Sequence, residues 1–430
     1  MTKRWTLATA MFSGGCIIGP GVIGETATDG GSDGGDVTIA SAADHSSGDA
    51  SSSAVSVADS GDTTAGDATD GTCIGACDDV AVTCRSSSNW TNAIGIERAA
   101  DDTVVLALQP NLGAPMLVQL GDDGDIATVL GDASGYLRAF AIGTGGEIAL
   151  LYLPTEGEPG DGYVVERRDA SKKVQWSQLV TANEGNPDGP FLEGHDVGVD
   201  GLGNVYVVGV LYGDRIPPII PFDEIVDAYD ADGSTSWRWT EDGSGLGYGR
   251  ILAPVEDGRV LAWFSIMTGD NLGYRGRGVL GGITDGSYSF HDPMGVEGLI
   301  APLVQSTAGW HGVRNVEGGL AISHFDGEFE FLSVRYDVPN VGPLPRPVGV
   351  VPHRDGVVVL LSYEDAPELG LELRSYDADG AVRWSVTEPE YTAAYAFDHT
   401  QTSDGGVALL GGYAVDSELG QASFVCTIAP

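Results

Sequence analysis

The sequence predicts an all-β repeat fold, and three observations carry that reading. Tyr229-Asp230-Ala231-Asp232-Gly233 followed by Trp237 returns almost verbatim as Tyr376-Asp377-Ala378-Asp379-Gly380 followed by Trp384. Weaker copies are Arg168-Asp169-Ala170-Ser171-Lys172 before Trp176, Asp285-Gly286 before Phe290, and Asp326-Gly327 before Phe331. Second, apolar runs of strand length, each led by Gly or Asp, recur at a period of ~50 residues, which suits propeller blades better than shorter solenoid repeats. Third, no stretch of the chain carries a sustained helical period. The expectation is a seven-bladed β-propeller of four-stranded antiparallel blades.

The apolar runs place one strand in each unit. They follow Asp102 (Thr103 to Leu108), Gly146 (Glu147 to Tyr152), Gly203 (Asn204 to Val210), Gly258 (Arg259 to Phe264), Gly356 (Val357 to Leu361) and Gly406 (Val407 to Leu410), with a poorer copy at Trp310 to Val313. β-Branched and aromatic residues between turn formers read as buried strand. The third unit shows the order best. A strand ending near Val199 reaches a turn at Asp200 to Gly203, and Val205 to Val210 follow. After a variable loop, Ile225 to Tyr229 lead into the Asp-Ala-Asp-Gly turn and a strand bearing Trp237 and Trp239. Asp-Gly between two such runs is a hairpin signal. The Asp side chains suit Asx-type turns, and the further oxygen ligands of a calcium loop are missing.

The last unit lacks a fourth strand, because the chain stops just after Phe424 to Ile428. Val80 to Cys84 alternates as a strand should and can supply it, pairing the two ends of the chain and removing open edges. That arrangement sets Cys84 beside Cys426, where a disulfide would close the ring, and leaves Cys73 with Cys77. Three pairings of these four cysteines are possible. Closing so long a loop contributes about 4–5 kcal/mol in the chain-entropy model.

Ahead of the repeats lie two segments of different character. Residues 1–16 run from a basic start through a short apolar stretch to Ser13-Gly14-Gly15-Cys16, which reads as an export signal too short to span a bilayer. Residues 17–72 are rich in Asp, Gly, Ser and Thr, without Lys, Arg or aromatics from Glu25 onwards. Such a stretch buries too little apolar surface to offset its ordering entropy and reads as a disordered spacer. The domain proper is then 73–430.

Formal net charge is −41, of which the spacer supplies about ten. So acidic a surface argues against nucleic acid and against an anionic membrane face. The composition favours a soluble monomer.

Small residues directly before Cys16 resemble the bacterial lipobox. That resemblance implies a lipidated Cys16, with the spacer as its leash and contact with the membrane through the lipid alone. The Tyr-Asp-Ala-Asp-Gly-x-x-x-Trp phrase is similar to the tryptophan-docking repeat of PQQ-like (quinoprotein-type) β-propellers. The resemblance implies that Trp176, Trp237, Phe290, Phe331 and Trp384 pack between blades; Thr128, at the matching place in the first unit, departs from it. The family's enzymes hold PQQ under a disulfide of adjacent cysteines, and no adjacent pair exists here, so no cofactor is expected.

Counted back from each landmark to the start of the innermost strand, the units offer Arg138, the pair His195-Asp196, Arg250 and the pair Asp398-His399. The other three offer Ile94, Ala301 and Val348. Polar groups converging from several blades at a channel mouth form a candidate ligand site. No nucleophile elbow, paired-carboxylate motif or His-x-x-x-His cluster accompanies them. The leading expectation is therefore a non-catalytic envelope or cell-surface module that binds or scaffolds protein or glycan partners through variable loops such as Leu211 to Glu224, Ser265 to Arg275 and Tyr363 to Leu369. The alternatives are a hydrolase or lyase using the channel mouth, or a purely structural surface protein.

Overall fold

A computed structural model describes residues 55–56, 74–75 and most of 81–430, and all elements in it are strands. Cys16, Cys73 and Cys77, with the export signal and nearly all of the spacer, lie outside the described residues. Three strands lead the chain: β1 (Val55–Ser56), β2 (Ile74–Gly75) and β3 (Val82–Ser87). The rest form antiparallel sheets numbered here in chain order. Sheet I holds β4 (Ala93–Arg98), β5 (Val104–Leu108), β6 (Met116–Gln119) and β7 (Ile126–Val129). Sheet II holds β8 (Gly135–Ile142), β9 (Ile148–Pro154), β10 (Tyr163–Arg168) and β11 (Val174–Val180). Sheet III holds β12 (Phe191–Val199), β13 (Val205–Tyr212), β14 (Phe222–Tyr229) and β15 (Thr235–Asp242).

Sheet IV holds β16 (Gly247–Val255), β17 (Arg259–Thr268), β18 (Gly273–Gly282) and β19 (Tyr288–His291). Sheet V holds β20 (Val304–Ser306), β21 (Gly309–Val316), β22 (Gly319–Phe325) and β23 (Phe331–Asp337). Sheet VI holds β24 (Arg346–His353), β25 (Gly356–Ser362), β26 (Leu371–Tyr376) and β27 (Val382–Glu388). Sheet VII holds β28 (Tyr395–Gln401), β29 (Val407–Ala414) and β30 (Gln421–Ile428), and its fourth strand is β3 from the other end of the chain. Cys84 lies directly opposite Cys426 in that pairing, and a disulfide joins them.

Apolar clusters cement neighbouring sheets. Leu117 and Leu137 belong to one between sheets I and II, Leu151 and Val207 to one between II and III, and Val208 and Ala262 to one between III and IV. Val313 and Val359 share a cluster of sheets V and VI, Leu373 and Leu409 one of VI and VII, and Ile96 and Val425 one of VII and I. Outside sheet IV, the second strand of each sheet is covered on both faces, and all seven residues of β25 are buried. This is why those strands read as continuous apolar runs rather than alternating ones.

Two sets of hairpins share one turn. In the Tyr-Asp-Ala-Asp-Gly hairpin, Gly233 N–H donates to Asp230 O at 2.8 Å and Asp230 N–H to Ser234 O at 2.9 Å. A type I turn followed by a left-handed residue makes this pattern. Asp Oδ1 atoms accept backbone N–H groups in these turns, as Asp377 does from Ala381 at 2.7 Å. Between the first two strands the same turn recurs at Asp200 to Asn204.

The turn also docks sheets. Trp176 Nε1–H donates to Ala231 O at 3.0 Å, from sheet II to sheet III, and its ring lies over Gly233. Trp237 and Trp384 are buried in the clusters between sheets III and IV and between VI and VII. Thr128 lacks a ring, and the neighbouring turn answers with Lys172, whose Nζ donates to Thr128 Oγ1 at 2.8 Å. Phe331 requires a correction: it is 46% exposed. The bulge at His324/Phe325 pairs Phe331 with Phe325, the register of Val382 in sheet VI, so Ser333 holds the place of Trp384. The backbone of Phe290 lies opposite Val279, and its side chain is outside the described residues.

Gly233 has φ +88°, and a Cβ there would lie 2.8 Å from Trp176 Cγ. Gly233→Ala combines left-handed strain with a clash and is expected to cost about 2–3 kcal/mol in denaturant titration.

Two short strands cover outer edges. β1 pairs with β7 and β2 with β27. Val55–Ser56 thus lies within the stretch expected to be disordered, where an open sheet edge offers its backbone a partner.

Candidate functional site

The innermost strand of six sheets breaks register at one residue: Ile94, Arg138, His195, Leu252, Val348 and Phe397. A bulge inserts an unpaired residue, bends the strand and re-aims its side chains. Ile94, Arg138, His195 and Val348 are the positions counted from the sequence. In two sheets that count is corrected. Arg250 stands two residues before Leu252, and its side chain lies outside the described residues. Asp398 follows Phe397 as Asp196 follows His195, so the two aspartates are equivalent and His399 takes the register of Val197.

Each bulge has a polar residue two positions before it: Asn92, Tyr136, Glu193, Arg250, Arg346 and Tyr395. Inner strands of successive sheets touch, β4 with β8, β8 with β12 and β28 with β4. Arg138 Nη2 of sheet II lies 3.8 Å from Glu193 Oε1 of sheet III, and His195 Nε2 lies 3.9 Å from the same oxygen. Both separations exceed direct hydrogen-bond range.

Three further carboxyl groups converge deeper along the strands. Asp398 Oδ2 accepts Ile96 N–H at 2.8 Å, joining sheet VII to sheet I, and its Oδ1 accepts His399 N–H at 2.9 Å. Asp196 Oδ1 accepts Val197 N–H at 2.9 Å in the same manner. Gly95 makes room, since a Cβ there would meet Asp398 Oδ2 at 3.0 Å. Glu97, next to Ile96, is pushed well above the usual carboxylate range by burial first and then by the negative charges of Asp398 and Asp196. Burial also raises Glu193, against the opposing charge of Arg138.

A carboxyl group raised by burial and by neighbouring carboxylates, as Glu97 is, is equipped for acid–base chemistry. The sequence count missed Glu97 and Glu193. Glu193 lies two residues before His195, on the same side of an unbulged strand, and alternation through the bulge was the available signal.

Burial, with the Arg138 charge in second place, lowers His195 to about 3. The unfolded imidazole titrates near 6.5. A depressed folded value means that the unfolded chain binds the proton first, so stability is complete above pH 6.5 and is lost as pH falls towards 3. His311, lowered to about 4 chiefly by burial, acts in the same direction. Glu97 and Glu193 act oppositely. His195→Gln isolates one contribution: the wild type should lose on the order of 2–3 kcal/mol more than the variant between pH 7.5 and pH 4.5 in denaturant titrations.

No protein-family model matches the sequence, and no curated protein sequence does. Solved structures similar in fold include a gluconolactonase from Xanthomonas campestris, at 15% identity and TM-score 0.37, covering 80% of this chain and 89% of that one. An apocarotenoid oxygenase from Synechocystis is 14% identical with TM-score 0.46, covering 71% and 73%. A prolyl endopeptidase is 12% identical with TM-score 0.39, covering 74% and 52%. These are β-propeller-type proteins and enzymes. The named neighbours are enzymes, whereas the sequence led to the expectation of a non-catalytic binding or scaffold module. At these identities the likeness concerns fold alone, and the chemistry has to be sought in this chain's own carboxyl groups.

Proposed function

We propose that this chain is an enzyme of hydrolase or lyase type whose acid–base site lies at the inner strands of sheets I, III and VII. The observation that carries the reading is the meeting of Glu97, Asp196 and Asp398, each from a different sheet. Glu97 is the proton donor to the leaving group. The Asp196 or Asp398 carboxylate takes the proton from water or from the substrate carbon, so the proton count balances. His195, kept neutral by burial, and Arg138 position the substrate.

The same reading takes the seven sheets as blades of one ring closed through sheet VII, with the inner strands lining a central channel. The cluster between sheets VII and I and the Cys84–Cys426 disulfide support closure. Trp176 on the next sheet's turn supports a tryptophan-docking repeat of PQQ-like type. The disulfide also favours an oxidising compartment, in keeping with export and a lipid anchor at Cys16. The substrate is then a carbohydrate or peptide at the bacterial envelope.

The test is turnover by the full chain across a panel of glycosides, lactones, esters and uronate polymers. Activity with an alkaline limb that moves down in Asp398→Asn is expected, because removing that charge eases ionisation of the proton donor Glu97. Absence of turnover across the panel, or an alkaline limb unmoved in Asp398→Asn, would overturn the reading.

A further inference from the structure

We infer that Ser306 is a nucleophile, with His311 as its base, and that it takes the acyl group of a small carboxylic ester at the turn between β20 and β21. The fifth apolar run is the poorest copy of the seven in the sequence, and His311 is one reason. His311 pairs with Val304 as Val358 pairs with Val351 in sheet VI, so an imidazole stands where the neighbouring sheet carries a buried valine. His311 is fully buried, and a polar ring in that place costs free energy unless its nitrogens are used. Neither residue belongs to the carboxyl site of sheets I, III and VII.

The pair has the geometry of a nucleophile and its base. Ser306 Oγ lies 2.9 Å from His311 Nε2. Ala308 N–H donates to the same oxygen at 3.1 Å, which leaves the hydroxyl proton for the ring. Gly309 O, at 3.4 Å, is the poorer acceptor. His311 Nδ1 is buried with no hydrogen bond among the described residues, and the Asp355 backbone and carboxylate both favour a proton on the ring. With that proton at Nδ1, the Nε2 lone pair is free for the Ser306 hydroxyl. Burial first, then the charge of His324, lower His311 to about 4, so the ring is an unprotonated base at neutral pH. The His324 ring stacks on it with centroids 4.6 Å apart, and His324 Nε2–H donates to Ala308 O at 3.2 Å. The base is thus held by a ring tied to the turn that carries the nucleophile.

The approach sets the substrate class. Ser306 is 9% exposed and precedes the exposed Thr307, whose N–H and Oγ1 are anchored on Arg354 O at 3.1 and 3.0 Å. So narrow an opening beside a fixed turn suits an acetyl-sized group rather than a polymer. Oγ bonds the ester carbonyl carbon while its proton passes to His311 Nε2. The bond from that carbon to the alkoxy oxygen breaks, and the leaving group departs with the proton as an alcohol. Water then attacks the acyl carbon and gives a proton to His311. The bond to Oγ breaks, Ser306 recovers the proton, and a carboxylic acid is released.

The test is acylation of the full chain by p-nitrophenyl acetate and labelling by diisopropyl fluorophosphate, with the adduct located by peptide mass mapping. A burst of nitrophenol and a phosphoryl adduct on Ser306 are expected. His311→Gln should slow labelling by about 100-fold. Ser306→Ala should abolish both reactions, and Ser306→Cys should restore acyl transfer. The wild-type chain unfolded in urea should not label, a comparison that holds even if a variant folds poorly. Glu97→Gln should label as the wild type does, and the labelled protein should keep any turnover of the carboxyl site, so the two sites fail separately. No adduct at Ser306, an adduct formed equally fast in folded His311→Gln, or equal labelling of the unfolded chain overturns the inference.

Discussion

Glu97→Gln should cost at least 100-fold in turnover while making the protein more stable at neutral pH. The first effect follows from general acid catalysis, which is worth about 10²–10⁴ in rate, because glutamine has no proton to give. The second follows from the environment of Glu97. Burial and the charges of Asp398 and Asp196 raise its folded value well above the unfolded one. A group raised on folding stabilises fully below its unfolded value near 4.5, and that contribution is lost as pH rises through the folded value. Above that point the native state holds a charge it disfavours. Glutamine keeps the shape and removes the charge, and a gain of about 0.5–2 kcal/mol is the usual size for such relief. A purely structural Glu97 gives a different pattern, with turnover kept. Denaturant titrations at pH 5 and pH 8, read beside initial rates, separate the two; unchanged turnover or lower stability at pH 8 defeats the assignment.

The repeat phrase announced sheets, turns and the Trp176 dock, because each depends on local chemistry. The left-handed place in the turn favours Gly233, and the indole of Trp176 needs a small residue beneath it. The inner strands were legible up to their bulges. Arg138 and His195 were found because their distance to the following turn is the same in both sheets. Arg250 and His399 were misplaced because the landmark glycines differ in place: Val255 pairs with Arg259 across two fewer residues than separate Val199 from Val205, and Gly405 rather than Gly406 matches Gly203 in its turn. Phe331 was put at the docking position that Ser333 occupies because Gly327 is the second residue of its turn, where Gly380 is the fourth. Glu97 gave no local sign, since its chemistry depends on Asp398 and Asp196, which come from other sheets and are far away in sequence.

Removing the Cys84–Cys426 disulfide, by reduction or by Cys84→Ala with Cys426→Ala, is expected to cost about 5 kcal/mol. The bond spans a sequence separation of 342 residues, and the chain-entropy model assigns a loop of that length a penalty of that order. For a folded domain of this size the melting temperature should fall by about 7 °C. The loss should begin locally. β3 is the outer strand of sheet VII, and without the crosslink its backbone pairs, Val82 and the Thr427 Oγ1–H bond to Thr83 O hold it to β30. Sheet VII also carries Asp398, whose bond to Ile96 N–H fixes the seam beside Glu97. Loosening sheet VII lets Asp398 draw away from Glu97, which lowers Glu97's proton affinity before the remaining sheets unfold. Activity should therefore decline at reductant concentrations where far-UV circular dichroism is unchanged. Coincident loss of activity and secondary structure would instead make the disulfide a global staple, and a stability change below about 1 kcal/mol would deny it either role.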